Sequence, residues 1–276
     1  MKHVKKLYQQ KKYEDAERLA RAITQEFPAH QFGWKVLGGV FKQTRRPNDA
    51  LVVIKKSVEV APYDAEAHYN LGTMLQELRK FDDAKLSYSQ AIALRPDYVE
   101  AHSNLGLCLH ELGCFRKAEA SFKQAISFNP HYTEAFYNLG ITLKELKRLD
   151  DAAASFKQAI SLNRSHAQAY SNLGVTLHAL GKPDEAEGHF KQAISLNPNY
   201  AEAHYNLGIT LRELAKLEQA KLSFKKAIEL KPDFRQAHSG LGVLLLRTGH
   251  HQEGLHEILQ GEGFITFDLN NGMSVS

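Results

Sequence analysis

The triplet Asn-Leu-Gly begins at Asn70, Asn104, Asn138, Asn172 and Asn206, each 34 residues after the one before. A constant period of that length constrains the fold more than any composition does, because it marks one supersecondary unit copied along the chain. With Ala65 as position 1 of a unit, positions 7 and 8 hold Leu and Gly, positions 20 and 27 hold Ala, position 24 is aromatic and position 32 is usually Pro. His68, Leu71, Gly72 and Leu75 then fall on one face of a helix. From about Asp82 to Leu94, a second stripe carries Ala84, Tyr88, Ala91 and Ile92. Each unit therefore predicts two helices. Gly72 and Ala84 lack bulk where those helices cross, Tyr88 fills the space beside them, and Pro96 ends the unit because it cannot continue a helix. Helices of about 13 residues are marginal alone in water, so the units must be stabilised by stacking on one another.

These positions resemble the tetratricopeptide repeat (TPR) family over residues 31–260, and a weaker unit extends the match to the start. The resemblance implies an all-α fold, a right-handed superhelical solenoid of helix-turn-helix repeats over residues 1–260. Its repeats are expected at 1–30 (partial), 31–64, 65–98, 99–132, 133–166, 167–200, 201–234 and 235–260 (degenerate). The first keeps Tyr13, Ala16 and Pro28 but has room only for a short first helix, and reads as a cap. In the second, Val36 stands where Asn would be; in the last, Gly254, Ile258 and Gly261 occupy the Ala, aromatic and Ala positions. Terminal repeats are expected to be atypical, since one face lacks a neighbour. Beyond Gln260 the period stops. Residues 261–276 alternate in type over Phe264–Leu269 and Met273–Val275 around Asn270-Asn271-Gly272, which is a hairpin signal. The expectation is a short C-terminal β-hairpin with Ile265, Phe267 and Leu269 on one face. It would either cap the last helix pair or mediate self-association between subunits through its strand edge.

A second period lies inside the first. Position 5 reads Tyr69, Ser103, Tyr137, Ser171, Tyr205, Ser239, and position 12 reads Gln76, His110, Lys144, His178, Arg212. The turn between helices alternates too, with Gly113 and Gly181 on the serine repeats and Arg79, Lys147 and Ala215 on the tyrosine repeats. Such a 68-residue superperiod arises either from duplication of a repeat pair or from a groove whose chemistry recurs every second repeat.

Positions 2, 6, 9 and 13 of the first helix, such as Glu66, Asn70, Thr73 and Glu77, face away from the buried stripe. In TPR solenoids this face lines the concave groove. An asparagine amide supplies donors and an acceptor, so a row of them can pair with the backbone of an extended peptide whatever its side chains. The row is similar to the asparagine ladder in the TPR superhelix of O-linked N-acetylglucosamine transferase. The candidate partner-binding residues are Asn70, Asn104, Asn138, Asn172 and Asn206, with Tyr69, Tyr137, Tyr205, His110, Lys144, His178 and Arg212 beside them. The tyrosines either offer aromatic contact at the groove edge or pack between neighbouring first helices. A carboxylate clamp of the kind that binds chaperone tails needs Lys at position 2 and Arg at position 6. Here position 2 holds Glu66, Glu100, Glu134, Gln168, Glu202 and Gln236, so that clamp is not expected.

Catalytic signatures are missing from the sequence: there is no phosphate-binding loop, dinucleotide fingerprint or nucleophile elbow. Of 14 histidines, His68, His102, His204 and His238 fill position 4, held elsewhere by Trp34, Phe136 and Tyr170, which argues for a structural role. Two cysteines, Cys108 and Cys114, form no disulfide framework and suit a reducing compartment. A net charge of +4 is too mild to imply nucleic acid, and no segment is apolar for long enough to span a membrane. The expectation is a cytoplasmic, non-catalytic interaction scaffold without cofactor or metal, binding a protein or an extended peptide. The alternative is a substrate-recruiting module for a separate transferase-type enzyme, because Phe27-Pro28 and Gly33-Trp34-Lys35-Val36-Leu37-Gly38 resemble bacterial TPR proteins that continue into transferase domains.

Overall fold

The computed structural model describes residues 1–262, 266–268 and 272–274. The chain divides into two compact units, Met1–Thr142 and Leu143–Ser276. The first contains α1 (Lys2–Gln9), α2 (Tyr13–Glu26), α3 (Gln31–Gln43), α4 (Pro47–Val60), α5 (Ala65–Glu77), α6 (Phe81–Leu94), α7 (Val99–Glu111) and α8 (Phe115–Phe128); the division falls within α9 (Thr133–Glu145). The second contains α10 (Leu149–Leu162), α11 (Ala167–Ala179), α12 (Pro183–Leu196), α13 (Ala201–Glu213), α14 (Leu217–Leu230), α15 (Arg235–Arg247) and α16 (His251–Glu262). From α3 onward every odd-numbered helix starts 34 residues after the previous one, so the period in the sequence is also the period of the backbone.

Three local devices repeat. The first is the turn between paired helices. Arg79, Gly113, Lys147, Gly181 and Ala215 all have φ between 56° and 71°, the left-handed conformation that closes a helix C-terminus. In α5 the turn is sealed by the Lys80 amide, which donates to the Leu75 carbonyl at 2.8 Å. The alternation of Gly with other residues here therefore keeps the turn in the same left-handed region. The second device joins position 4 to the proline before the helix. The Nε2 atoms of His68, His102, His204 and His238 lie 2.8–3.1 Å from the carbonyl oxygens of Pro62, Pro96, Pro198 and Pro232. A carbonyl only accepts, so these rings carry a proton on Nε2. Trp34 makes the same bond through Nε1 to Pro28 at 2.9 Å. Four of the 14 histidines are thereby structural.

The third device is the helix crossing. A Cβ placed on Gly72 would stand 2.7 Å from the Tyr88 ring, and one on Gly174 would stand 2.8 Å from the Phe190 ring. Tyr88, Phe122, Phe156, Phe190 and Phe224 are all buried to 1% exposure or less. Each contributes on the order of 1.5–3 kcal/mol by leaving water. In the first unit, the core at the N-terminal end joins Val4 and Leu7 of α1 to Leu37, Phe41, Val53 and Ile54. In the second unit, Phe234 and Ala237 pack on Ala201 and Ala227.

The expected C-terminal β-hairpin is corrected. The architecture is that of the helices, and extended pairing is confined to three residues on each side, β1 (Thr266–Asp268) against β2 (Gly272–Ser274). Asp268 pairs with Gly272, so Gly272 lies in a strand and not in the tight Asn-Gly turn that the dipeptide suggested. Ile265, Leu269, Asn270, Asn271 and Val275 lie outside the described residues. A pairing this short is marginal in water.

Candidate functional site

The five asparagines sit at position 6 of α5, α7, α9, α11 and α13, each half-buried. They differ in what holds them. In the first unit, Asn104 Nδ2 donates to the hydroxyls of Tyr69 at 3.2 Å and Tyr88 at 3.3 Å. The Tyr88 hydroxyl in turn donates to Gln76 Oε1 at 2.7 Å. Tyr69 stacks on Tyr98, with centroids 4.9 Å apart, and lies 5.7 Å from Tyr88. Burial raises the pKa of the Tyr69 phenol above the ordinary tyrosine range and that of Tyr98 to about 12; both stay protonated and able to donate. Asn104 is therefore fixed by a tyrosine cluster that bridges consecutive odd-numbered helices.

In the second unit Asn172 is tethered differently. Its Nδ2 donates to the Gln168 carbonyl at 3.1 Å, and its Oδ1 accepts from Lys144 Nζ at 3.3 Å. Burial depresses the Lys144 pKa, and only the neighbouring Glu145 offsets the effect. By contrast, the side-chain amides of Asn70, Asn138 and Asn206 make no hydrogen bond to another described residue. The tethered asparagines are those of the serine repeats and the others are those of the tyrosine repeats, so the 68-residue superperiod has a structural counterpart.

The remaining candidates separate into local arrangements. His110 Nδ1 lies 3.1 Å from Thr142 Oγ1. That hydroxyl already donates to the Asn138 carbonyl at 2.9 Å, so it accepts from His110, whose proton sits on Nδ1. His178 Nε2 stands 2.7 Å from Glu213 Oε2 but is not aligned for a hydrogen bond. Tyr205 packs on Phe234 at 5.0 Å, as Tyr69 does on Tyr98. Tyr205 and Arg212 border a shallow cavity of about 250 Å³ between α13 and α15, with Ile209, Gln236 and Gly240. Gly240 fills the asparagine position there, so the ladder contributes no amide to that cavity. Tyr137 lies on α9 beside Asn138. The chain thus brings Tyr69 to Asn104 and Lys144 to Asn172, while His110 and His178 serve other partners. Thr73, Gln76 and Tyr88, read from the sequence as groove face, superperiod position and core ring, belong to the first of these clusters, and so does Tyr98, which was not singled out. Tyr98 had a signal, because Tyr132, Tyr200 and Phe234 recur at the same position.

Among the described residues no helix is long and apolar enough to cross a membrane. Family profiles described as tetratricopeptide repeat match residues 165–233, 99–132 and 205–262, and one described as TPR repeat matches 77–113 and 142–181. No curated protein matches the chain. Among solved structures, YrrB, described as a TPR protein with an unusual peptide-binding site, is 26% identical over 67% of this chain and 95% of its own, with a TM-score of 0.57. MamA is 26% identical over 59% of this chain and 95% of its own, with a TM-score of 0.56. PilF of Pseudomonas aeruginosa shares the fold, with a TM-score of 0.66 at 19% identity over 75% of this chain and 94% of its own. The period, the glycine–ring crossings and these matches agree, and the chain belongs to the tetratricopeptide repeat family.

Proposed function

We propose that the chain is a non-catalytic protein–protein interaction scaffold that holds an extended peptide against the asparagine-bearing face of its odd-numbered helices. The observation that carries this reading is the set of amides on Asn70, Asn138 and Asn206, half-exposed and without a hydrogen bond to another described residue. Each can donate to a peptide carbonyl and accept from a peptide N–H. Asn104 and Asn172 are held in place by Tyr69 and Lys144 and act as fixed neighbours. The five units from 65–98 to 201–234 carry the asparagines, while 31–64 has Val36 in that place and 1–30 and 235–260 are end units. YrrB, a relative described by its peptide-binding site, supports the class of ligand. A peptide is favoured over nucleic acid because the charge is near balance, and the two unpaired cysteines suit a cytoplasmic setting.

Capture of a displayed library of random decapeptides tests the proposal. Replacing Asn70, Asn138 and Asn206 with Ala is expected to leave the helical spectrum unchanged. At about 0.5–1.5 kcal/mol for each lost hydrogen bond, recovery should fall by about one to three orders of magnitude. Undiminished recovery by the triple variant would overturn the assignment.

A further inference from the structure

In one full repeat, besides Val36, three further positions depart from the repeats that follow. In residues 31–64, position 9 is Gly39 where the following repeats hold Thr, Leu, Ile or Val, position 24 is Ile54 where the next five hold a ring, and position 27 is Ser57 where those five hold Ala. Ile54 leaves out a ring and Ser57 adds a hydroxyl, whereas the space a side chain at Gly39 would take is filled by the Tyr8 phenol, 3.0–3.2 Å from a Cβ there. The result is a cavity of about 100 Å³ between α3, α4 and α5. Ile54 and Ser57 form its buried floor, and Lys35, Gly39, Lys42 and Asn70 form a half-open rim. Ser57 is 3% exposed, and its Oγ has no hydrogen-bond partner. A buried polar atom left unpaired is unfavourable, so the cavity calls for an occupant with a polar group.

Size and charge narrow the occupant. The volume lies below the ~150 Å³ of an apolar cavity that admits benzene, so a ring does not fit. An acid is disfavoured as well. Lys35 already pairs with Asp64 and Glu66, both at 2.8 Å, and Lys42 pairs with Glu77 at 2.9 Å. Three carboxylates against two ammoniums face any incoming anion. A short neutral side chain that bears a hydroxyl satisfies Ser57 as donor or acceptor while its carbon atoms meet Ile54. Asn70 at the rim is placed to pair with the backbone beside it.

We propose that this cavity is a specificity subsite that receives a threonine or serine side chain of the extended peptide; it rests on the peptide-binding function proposed above. The test uses two fluorescein-labelled decapeptides of alanine and glutamine that differ in one central residue, threonine or the isosteric valine. The wild-type chain should bind the threonine peptide about two- to tenfold more tightly, the discrimination expected of one hydrogen bond. Ser57→Ala, which installs the residue found at position 27 of the next five repeats, should erase that preference while still binding both peptides. Ile54→Phe restores the ring of those repeats and fills the cavity, so it should erase the preference as well. Equal or tighter binding of the valine peptide by the wild type would overturn the subsite, as would an unchanged preference in Ser57→Ala. If the wild type binds neither peptide, peptide recognition fails and the subsite fails with it.

Discussion

Gly174 and Gly188 lie on the two helices of one repeat, and alanine should act on them in opposite directions. Gly188 is exposed within α12, and a Cβ built on it meets nothing within 4 Å. There Gly188→Ala gains only the better helix propensity, about 0.8–1 kcal/mol. Gly174 is buried in α11, where a Cβ would lie 2.8, 2.9 and 3.0 Å from three carbons of the Phe190 ring. That ring is 1% exposed and has nowhere to swing. Overpacking of this kind costs about 1–3 kcal/mol; after the same propensity gain, Gly174→Ala should be destabilising by up to about 2 kcal/mol. Urea unfolding followed by circular dichroism would measure both variants. Hydrogen exchange on α11 and α12 would localise the change, because repeat arrays need not unfold in two states. If Gly174→Ala stabilises as much as Gly188→Ala, the close glycine–ring crossing is not what fixes the helix pair.

Lys144→Met should stabilise the fold at neutral pH, by no more than about 1 kcal/mol because the ammonium is partly screened by solvent. Burial places its folded-state pKa below the ordinary 10.5, so the destabilising charge is fully present below that folded value and fades as pH rises toward 10.5. A melting difference between variant and wild type that does not shrink over this window refutes the assignment. The thiols should also separate. Cys108 is buried, and burial pushes its pKa up to about 12, whereas Cys114 is exposed. A thiol-specific dye should label Cys114 alone in the native protein and both after denaturation; native labelling of Cys108 would contradict its burial.

Much of this structure is written in the period. Helix starts, the left-handed turn and the contact of Gly72 with Tyr88 follow from residues on one repeat, where spacing and sterics act over short distances. The ties on the asparagines do not. Asn104 and Asn172 share a position with Asn70, Asn138 and Asn206, and what separates them is a tyrosine or lysine reaching from the preceding repeat. Periodicity shows which face a residue occupies but not how far its neighbour's side chain extends. His110 and His178 make the same point, since identical positions meet Thr142 in one case and Glu213 in the other. The C-terminal segment failed for the opposite reason: Asn271-Gly272 is a strong local signal, and pairing of Asp268 with Gly272 overrode it. The cavity floored by Ser57 was readable in principle, as two departures from the repeat, Ile54 and Ser57, that lie side by side in space.

The most direct test is whether the asparagine face reads a peptide's backbone. A decapeptide recovered from the random library would be compared with the same sequence carrying N-methyl groups on alternate amides, which remove N–H donors and leave every side chain in place. Loss of two or three such bonds should weaken binding by about tenfold or more, with no further weakening in the chain that lacks Asn70, Asn138 and Asn206. Equal affinity for both peptides would contradict recognition through the asparagine amides.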